Sequence, residues 1–253
     1  MISKYNGKRK IIIFSGAGIS AESGISTFRD TNGLWENYSI EEICNQNSWK
    51  HNFEAVHTFY NQRRLELNEV KPNKAHKSVA TLKQIYGEDC YVITQNVDDL
   101  FERAGCRDVL HVHGELRKME CNACGHIWDI GYNLFDINKD RCPKCNSLKG
   151  VKPYIVFFGG LAPKYKEMYR AFEATKHKDS IVVVIGTMGN VIHIESLLKH
   201  KLCKKILNNL EVSKYIDDTI FDKVYYDKAT KVIDKIEKDI RYFWENTYYS
   251  LNE

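Results

Sequence analysis

Four cysteines carry the most specific chemistry in the chain: Cys121-x2-Cys124, seventeen intervening residues, then Cys142-x2-Cys145. Two short knuckles, each offering a pair of thiolates, have the spacing of a four-thiolate zinc ribbon. Pro143 and Gly125 sit in or just after the knuckles, where tight turns want them. Four sulfurs complete a tetrahedron and leave no position for water, so zinc held here is expected to be structural. His126 is surplus to that set and is expected at the surface. A second stretch suggests different chemistry. The apolar run from Ile11 to Phe14 breaks into Gly16-Ala17-Gly18-Ile19-Ser20-Ala21. Glycines at such a turn let the backbone approach a pyrophosphate, and free amides at a helix start receive its charge. A third candidate is a histidine with a pKa near neutrality, suited to proton transfer. Val109-Leu-His-Val-His113 offers two, His111 and His113, and strand alternation puts both on one face, so periodicity does not choose between them.

A dehydrogenase fingerprint would continue from the glycine turn to a second strand ending on an acidic residue ~20 positions on. The chain instead runs Ser23-Gly-Ile-Ser-Thr27-Phe28-Arg29-Asp-Thr-Asn-Gly-Leu-Trp35, which is neither strand nor amphipathic helix. It reads as a loop able to close over a bound ligand. Gly-Ala-Gly-Ile-Ser-Ala-Glu22-Ser-Gly-Ile, then Thr-Phe-Arg and Gly-Leu-Trp, resembles the sirtuins, the NAD-dependent protein deacylases. The resemblance continues through Thr-Gln95-Asn96-Val97-Asp98 and His113-Gly-Glu-Leu, and it spans about Ile11 to Ile240.

Much follows from that resemblance. It implies NAD as co-substrate, acylated-lysine proteins or peptides as partners, and release of nicotinamide and O-acyl-ADP-ribose. The loop bearing Thr27, Phe28, Arg29 and Trp35 would cover the nicotinamide half. Asn96 and Asp98 would hydrogen-bond the carboxamide and ribose. His113, before the glycine, would be the general base and His111 would support packing. The acyl amide oxygen would attack the anomeric carbon, and His113 would then take a proton from the ribose hydroxyls. Val156-Phe157-Phe158-Gly159 resembles the strand that pairs with the substrate backbone, a mode that reads main chain and tolerates varied sequence. Tyr60 and Arg63 match the Tyr-x-x-Arg pair of sirtuins that prefer acidic acyl groups, pointing to the desuccinylase and demalonylase type with deacetylase activity beside it. A guanidinium grips a carboxylate in two-pronged fashion. Asn209, Leu210, Glu211 and Ala229 would lie at the adenosine end. The chain also departs from the pattern. Gly186-Thr187-Met188 stands for Gly-Thr-Ser, His193-Ile194 for Pro-Ala, Gly160 for a glutamate, and Asp227 for a glycine.

The elements needed to position these groups are legible as periodicities. Ile11–Phe14, Cys90–Thr94 and above all Ile181-Val-Val-Val-Ile185 read as buried strands of a parallel sheet. Val109–His113, Tyr154–Phe158, Lys205–Glu211 and Lys223–Tyr226 are further strand candidates. Helices are expected over Phe53–Leu67, from Ala75 through Val79, Leu82 and Ile85 to Gly87, and from Ala229 to about Trp244. Strands alternating with helices predict an α/β fold, a Rossmann-like doubly wound parallel sheet with a smaller inserted zinc ribbon and a helical module. The expected division is 1–34, 75–114 and 153–253 for the NAD-binding domain, 35–74 for the helical module and 115–152 for the zinc-ribbon insertion.

Composition sets outer bounds. The 253 residues, 43% hydrophobic and 28% charged, are those of a globular protein with a sizeable core. A net charge of +4 neither demands nor excludes an anionic partner, and the lysines are scattered. No stretch approaches the ~18 apolar residues of a membrane span, and the run after Arg9-Lys10 is too short for a signal peptide. The other cysteines (Cys44, Cys90, Cys106, Cys203) are dispersed, which suits a reducing cytoplasm. Two other uses of the chain are weighed against deacylation. Protein ADP-ribosylation or NAD hydrolysis would employ the same bound NAD. A zinc-ribbon module binding nucleic acid or protein would want a basic face with aromatic interleaving around the cysteines, and Glu120, Asp129, Asp136 and Asp140 stand in the ribbon beside its lysines and arginine.

Overall fold

The structure is a computed structural model and describes residues 9–25, 39–175 and 178–249. Strand β1 (Ile11–Ser15) lies at the centre of a six-stranded sheet. On one side it pairs with β2 (Cys90–Thr94), which pairs with the short β3 (Leu110–His111). Two further strands, β4 (Gly114–Cys121) and β5 (Ile127–Asp129), leave this sheet and form a second one with β6 (Val151–Ile155). The chain returns to the other side of β1 with β7 (Ile181–Ile185), followed outward by β8 (Lys204–Asn209) and β9 (Lys223–Tyr226). All pairings of the large sheet are parallel, and its order is β3-β2-β1-β7-β8-β9. The winding therefore reverses between β1 and β7, which makes their carboxyl ends the crevice where ligands bind in open α/β sheets.

Every residue of β1, β2 and β7 is buried because helices cover both faces. Successive side chains point to opposite faces. Ile11, Ile13, Ile181, Val183 and Ile185 pack on one side with Val79, Leu82, Ile233, Ile236 and Ile240. Ile12, Phe14, Val182 and Val184 pack on the other with Met168, Phe172, Ile194 and Leu198. In chain order the helices are α1 (Gly18–Ala21), α2 (Ile40–Ile43), α3 (Phe53–Glu69), α4 (Lys74–Tyr86), α5 (Leu100–Arg103), α6 (Tyr165–Glu173), α7 (Ile194–Leu198) and α8 (Ala229–Tyr249). Asn73 caps α4 by accepting from the amides of Ala75 and His76, and its Nδ2 donates to the Ile19 carbonyl at 2.7 Å. That bond ties the start of α4 to the glycine turn.

The expected elements are present with shifted limits. The strand expected over Tyr154–Phe158 runs instead from Val151 to Ile155, in the small sheet rather than the large one. Pro153 is tolerated there because β6 is an edge strand. The strand expected over Val109–His113 is only Leu110–His111, and the one expected over Lys205–Glu211 ends at Asn209. Ile85, expected on the apolar face of α4, is half exposed at the next-to-last position of the helix. The small sheet, ordered β5-β4-β6, has no apolar layer of its own on both faces. Leu116, Met119 and Val151 instead share a core with Phe53, Val56, Phe59 and Tyr60 of α3.

Where the two sheets join, Gly114 has φ +93°, and a Cβ there would stand 2.0 Å from the Tyr154 carbonyl oxygen. The atoms it would strike, in Tyr154 and Ile155, are all backbone. Gly114→Ala is expected to destabilise the protein by about 3 kcal/mol or more, read from urea denaturation, because strain and a main-chain clash add. A melting curve unchanged by this substitution would show that the junction is not packed as described.

Candidate active site

The two glycine turns meet at the switch point. Gly16 N–H donates to the Ile185 carbonyl and Gly18 N–H to the Gly186 carbonyl, both at 2.9 Å. A Cβ at Gly16 would lie 2.7 Å from the Gly186 oxygen, and one at Gly18 would lie 2.6 Å from its Cα. Only glycine allows this approach, which brings the Gly16–Ala21 turn, with its half-buried Ala17 and exposed Ala21, against Gly186–Met188. Ser20, at the end of β1's turn, is buried. Its hydroxyl accepts from Asn96 Nδ2 and donates to Asp98 Oδ2, each at 2.9 Å, and lies 3.3 Å from His76 Nε2. Burial holds the Asp98 carboxyl above its usual range, opposed by the Ser20 hydroxyl and the Leu100 amide. Gln95 Nε2 donates to Thr187 Oγ1 at 2.9 Å, and Thr187 and Asn209 exchange two bonds between backbone and side-chain amide. Residues from the ends of β1, β2, β7 and β8 are thus knitted into one polar floor. The half-buried Val97 accepts the Leu116 amide and so links this floor to β4.

The expected cofactor residues are not all equivalent here. Glu22 commits both carboxylate oxygens to Thr230, at 3.0 Å to its amide and 2.7 Å to its hydroxyl, so it anchors the first turn of α8. Ala229 beside it is buried, whereas Leu210 and Glu211 lie on exposed loop past β8. The half-buried Met188 accepts from the Ser213 hydroxyl through its carbonyl. Thr27, Phe28, Arg29 and Trp35 lie outside the described residues.

The structure separates the two histidines. His111 Nδ1 faces the Asn96 carbonyl and Nε2 faces Glu102 Oε1, each at 2.9 Å. Both partners only accept, so both nitrogens carry protons. Burial opposes that charge, but Glu102 outweighs it and the His111 pKa is raised. His113 is the opposite case. Its Nδ1–H donates to the Gln95 carbonyl at 3.1 Å, leaving Nε2 as an acceptor, and Tyr165 Oη donates to it at 2.8 Å. Burial depresses the His113 pKa, with the Gln95 carbonyl opposing. A neutral imidazole with one usable lone pair is a base; a doubly protonated one in an ion pair is not. The departure from alternation arises because the strand stops at His111 and the chain turns through Val112 and His113. Tyr165 had no signal in the sequence beyond opening a helix, and any hydroxyl that delivers a proton to Nε2 must displace it.

Phe158 donates its amide to Cys44 O and accepts from Gln46 N, at 2.8 and 2.9 Å. This edge of 156–159 is therefore used within the chain, with Val156 N–H on the His113 carbonyl alongside. On the opposite edge the Phe157 carbonyl accepts the Gly160 amide at 2.9 Å. Phe157 is buried and stacks on Tyr60, with ring centroids 5.9 Å apart and 20° between planes. The phenol of Tyr60 is engaged with the Cys44 thiol, and burial drives the pKa of both groups up. Arg63, one turn further on, pairs with Glu66 at 2.6 Å. Arg64, which sequence reading passed over, is fully buried. It donates to the Leu116 carbonyl and Asn61 Oδ1, both at 2.8 Å, and Nη2 lies 2.9 Å from Met119 Sδ, which clamps α3 to β4.

The four cysteine sulfurs lie within 4.8 Å of one another, with Cys121–Cys145 and Cys124–Cys142 at 3.6 Å. Ligand bonds of ~2.3 Å in a tetrahedron place sulfurs about 3.8 Å apart, so the set fits one zinc ion. Both knuckles are shaped by backbone bonds, Gly125 N to Cys121 O at 2.7 Å and Asn146 N to Cys142 O at 2.9 Å. His126 is no ligand; it stacks on Trp128. Among the described residues no helix is long and apolar enough to cross a membrane.

A parallel sheet whose glycine turns meet at the switch point, joined through a neutral histidine to a four-cysteine module, defines a dinucleotide-binding α/β protein. The profile of the Sir2 family matches residues 16–193, and the chain belongs to that family. An NAD-dependent protein deacylase of Helicobacter hepaticus is 45% identical, covering 93% of this chain and 98% of its own length. Among solved structures, a mutant Sir2 homologue in complex with ADP-ribose superposes with a TM-score of 0.80 at 32% identity, covering 94% of each chain. A Sir2 homolog–NAD complex gives 0.79 at 34% identity, covering 93% of this chain and 91% of the other.

Proposed function

We propose that this Sir2-family chain, an NAD-dependent protein deacylase, removes acidic acyl groups such as succinyl and malonyl from lysine side chains, and acetyl groups beside them. The observation that carries the deacylase reading is His113: neutral, aimed by Gln95, and seated between the glycine-turn floor and the strand that would hold the peptide. NAD supplies the electrophilic ribose carbon. Gly16, Gly18 and Gly186 give the close backbone approach its phosphates need, and Ser20, Asn96 and Asp98 face the crevice floor with donors and acceptors. His113 Nε2 accepts the proton of a sugar hydroxyl once Tyr165 has given way. The zinc ion takes no part in proton transfer; four thiolates hold the small sheet in shape.

Arg63 supports the acidic-acyl reading. Its side chain is 11% exposed, and among the described residues its buried Nε has no hydrogen-bond partner. A buried guanidinium with a donor to spare suits a carboxylate. Nicotinamide release from NAD should be followed with succinyl-lysine and acetyl-lysine peptides. Arg63→Met is expected to lower kcat/KM roughly 10- to 100-fold for the succinyl peptide, the worth of a charge-assisted contact, and to leave the acetyl peptide within about 3-fold. Equal losses would remove the acidic-acyl assignment. NAD consumption that needs no acylated peptide would favour NAD hydrolysis on the same site.

A further inference from the structure

We infer that Glu66 sets the charge selectivity of the acyl site, an inference that rests on the assignment of Arg63 to the acyl group. Glu66 follows Arg63 by three residues on α3, so the two side chains share a face of the helix. Both Glu66 oxygens lie 2.6 Å from the same guanidinium nitrogen, Nη2. The carboxylate therefore grips one corner of the fork and leaves Nε, on the adjacent corner, unused. Glu66 is 34% exposed against 11% for Arg63, so the acid stands at the rim and the guanidinium lies deeper. The Phe59 ring, 5.5 Å from Arg63 Cζ, backs the guanidinium, and Arg64 beside it is spent on Leu116, Asn61 and Met119.

A guanidinium this far out of water needs a counter-charge. With Glu66 in place that need is met before any acyl group arrives, so a neutral acetyl group can occupy the site without stranding an unpaired cation. An acidic acyl group brings a second carboxylate to the same guanidinium. It can use the unpartnered Nε–H only if the side chain shifts to uncover that buried atom, and it meets the like charge of Glu66, so part of the contact is lost to repulsion. Glu66 thus widens acceptance to neutral acyl groups and holds back preference for acidic ones. It touches no reacting atom, so its effect belongs in substrate binding rather than in the chemical step.

The test measures kcat and KM for succinyl-lysine and acetyl-lysine peptides with wild type, Glu66→Gln, Arg63→Met and the double variant, after checking that each melts as wild type does. Glu66→Gln keeps the size and polarity of the side chain, and the residue stands at the rim of α3, so the fold is expected to hold. The expected result is a rise of roughly tenfold in the succinyl-to-acetyl ratio of kcat/KM, carried by KM with kcat unchanged. In the Arg63→Met background the same change should leave the ratio unmoved, because no guanidinium remains to be shared. A ratio unaffected by Glu66→Gln, or shifted equally in both backgrounds, overturns the inference; if Arg63→Met alone still collapses succinyl turnover, the acidic-acyl reading survives. If Arg63→Met leaves the ratio where it was, both fall together.

Discussion

His113→Ala is expected to lower kcat/KM for succinyl and acetyl peptides alike by roughly 10²- to 10⁴-fold, the range for loss of a positioned general base. The two activities should fall together because, in the proposed reaction, the histidine acts on the sugar, which is common to both, and not on the acyl group. NAD binding should survive, since the floor of Ser20, Asn96, Asp98 and Thr187 is held by its own hydrogen bonds without the imidazole. His111→Ala is the informative partner. It removes an ion pair with Glu102 and a bond to the Asn96 carbonyl, so its main effect should appear in thermal stability. The pH profile offers an independent check. Burial holds the His113 pKa below the ordinary imidazole value, so the base is already free at neutral pH. Activity should therefore be level through neutrality and decline only as the solution becomes acid enough to protonate Nε2. An alanine variant retaining more than about a tenth of wild-type kcat/KM would put the proton acceptor elsewhere.

Removal of zinc is the second large effect. The protein is expected to carry one zinc per chain by elemental analysis and to lose it on prolonged chelation or in Cys142→Ser. The small sheet has too little apolar surface to stand alone, and structural zinc supplies folding free energy on the order of 10 kcal/mol in isolated zinc modules. Its loss should expose the segment from Asn122 to Gly150 to proteolysis while the parallel sheet persists. Activity should be lost as well, by an indirect route. The small sheet begins at Gly114, next to His113, and its Leu116 and Met119 are the partners of Arg64 on α3. Metal loss would thus loosen both the base and the helix bearing Arg63. Readdition of zinc should restore both properties. Full turnover and an unaltered melting curve in metal-stripped protein would contradict this account.

The features legible in the sequence are those set within a few residues of chain. The cysteine pairs bring their sulfurs together because each knuckle is a single turn, and the structure places all four within 4.8 Å. The strands of the parallel sheet read as apolar runs because both faces are covered, and the glycine turn stands out because a Cβ at Gly16 or Gly18 has nowhere to go. Those are consequences of sterics and burial, which local sequence records. The allocation of polar groups is different. That His111 is an ion-pair member depends on Glu102, and that the Nε2 lone pair of His113 meets a hydroxyl depends on Tyr165, 52 residues away. That Glu22 anchors α8 depends on Thr230, 208 residues on. Tyr60 and Arg63 stand three apart as a recognisable pair, yet the structure gives the phenol to Cys44 and one corner of the guanidinium to Glu66. Sequence by itself determined the sheet, the metal ligands and the ligand-facing turn. Tertiary structure alone decided what each hydrogen-bonding group is free to do, because a donor or acceptor is defined by whichever partner the fold brings within ~3 Å of it.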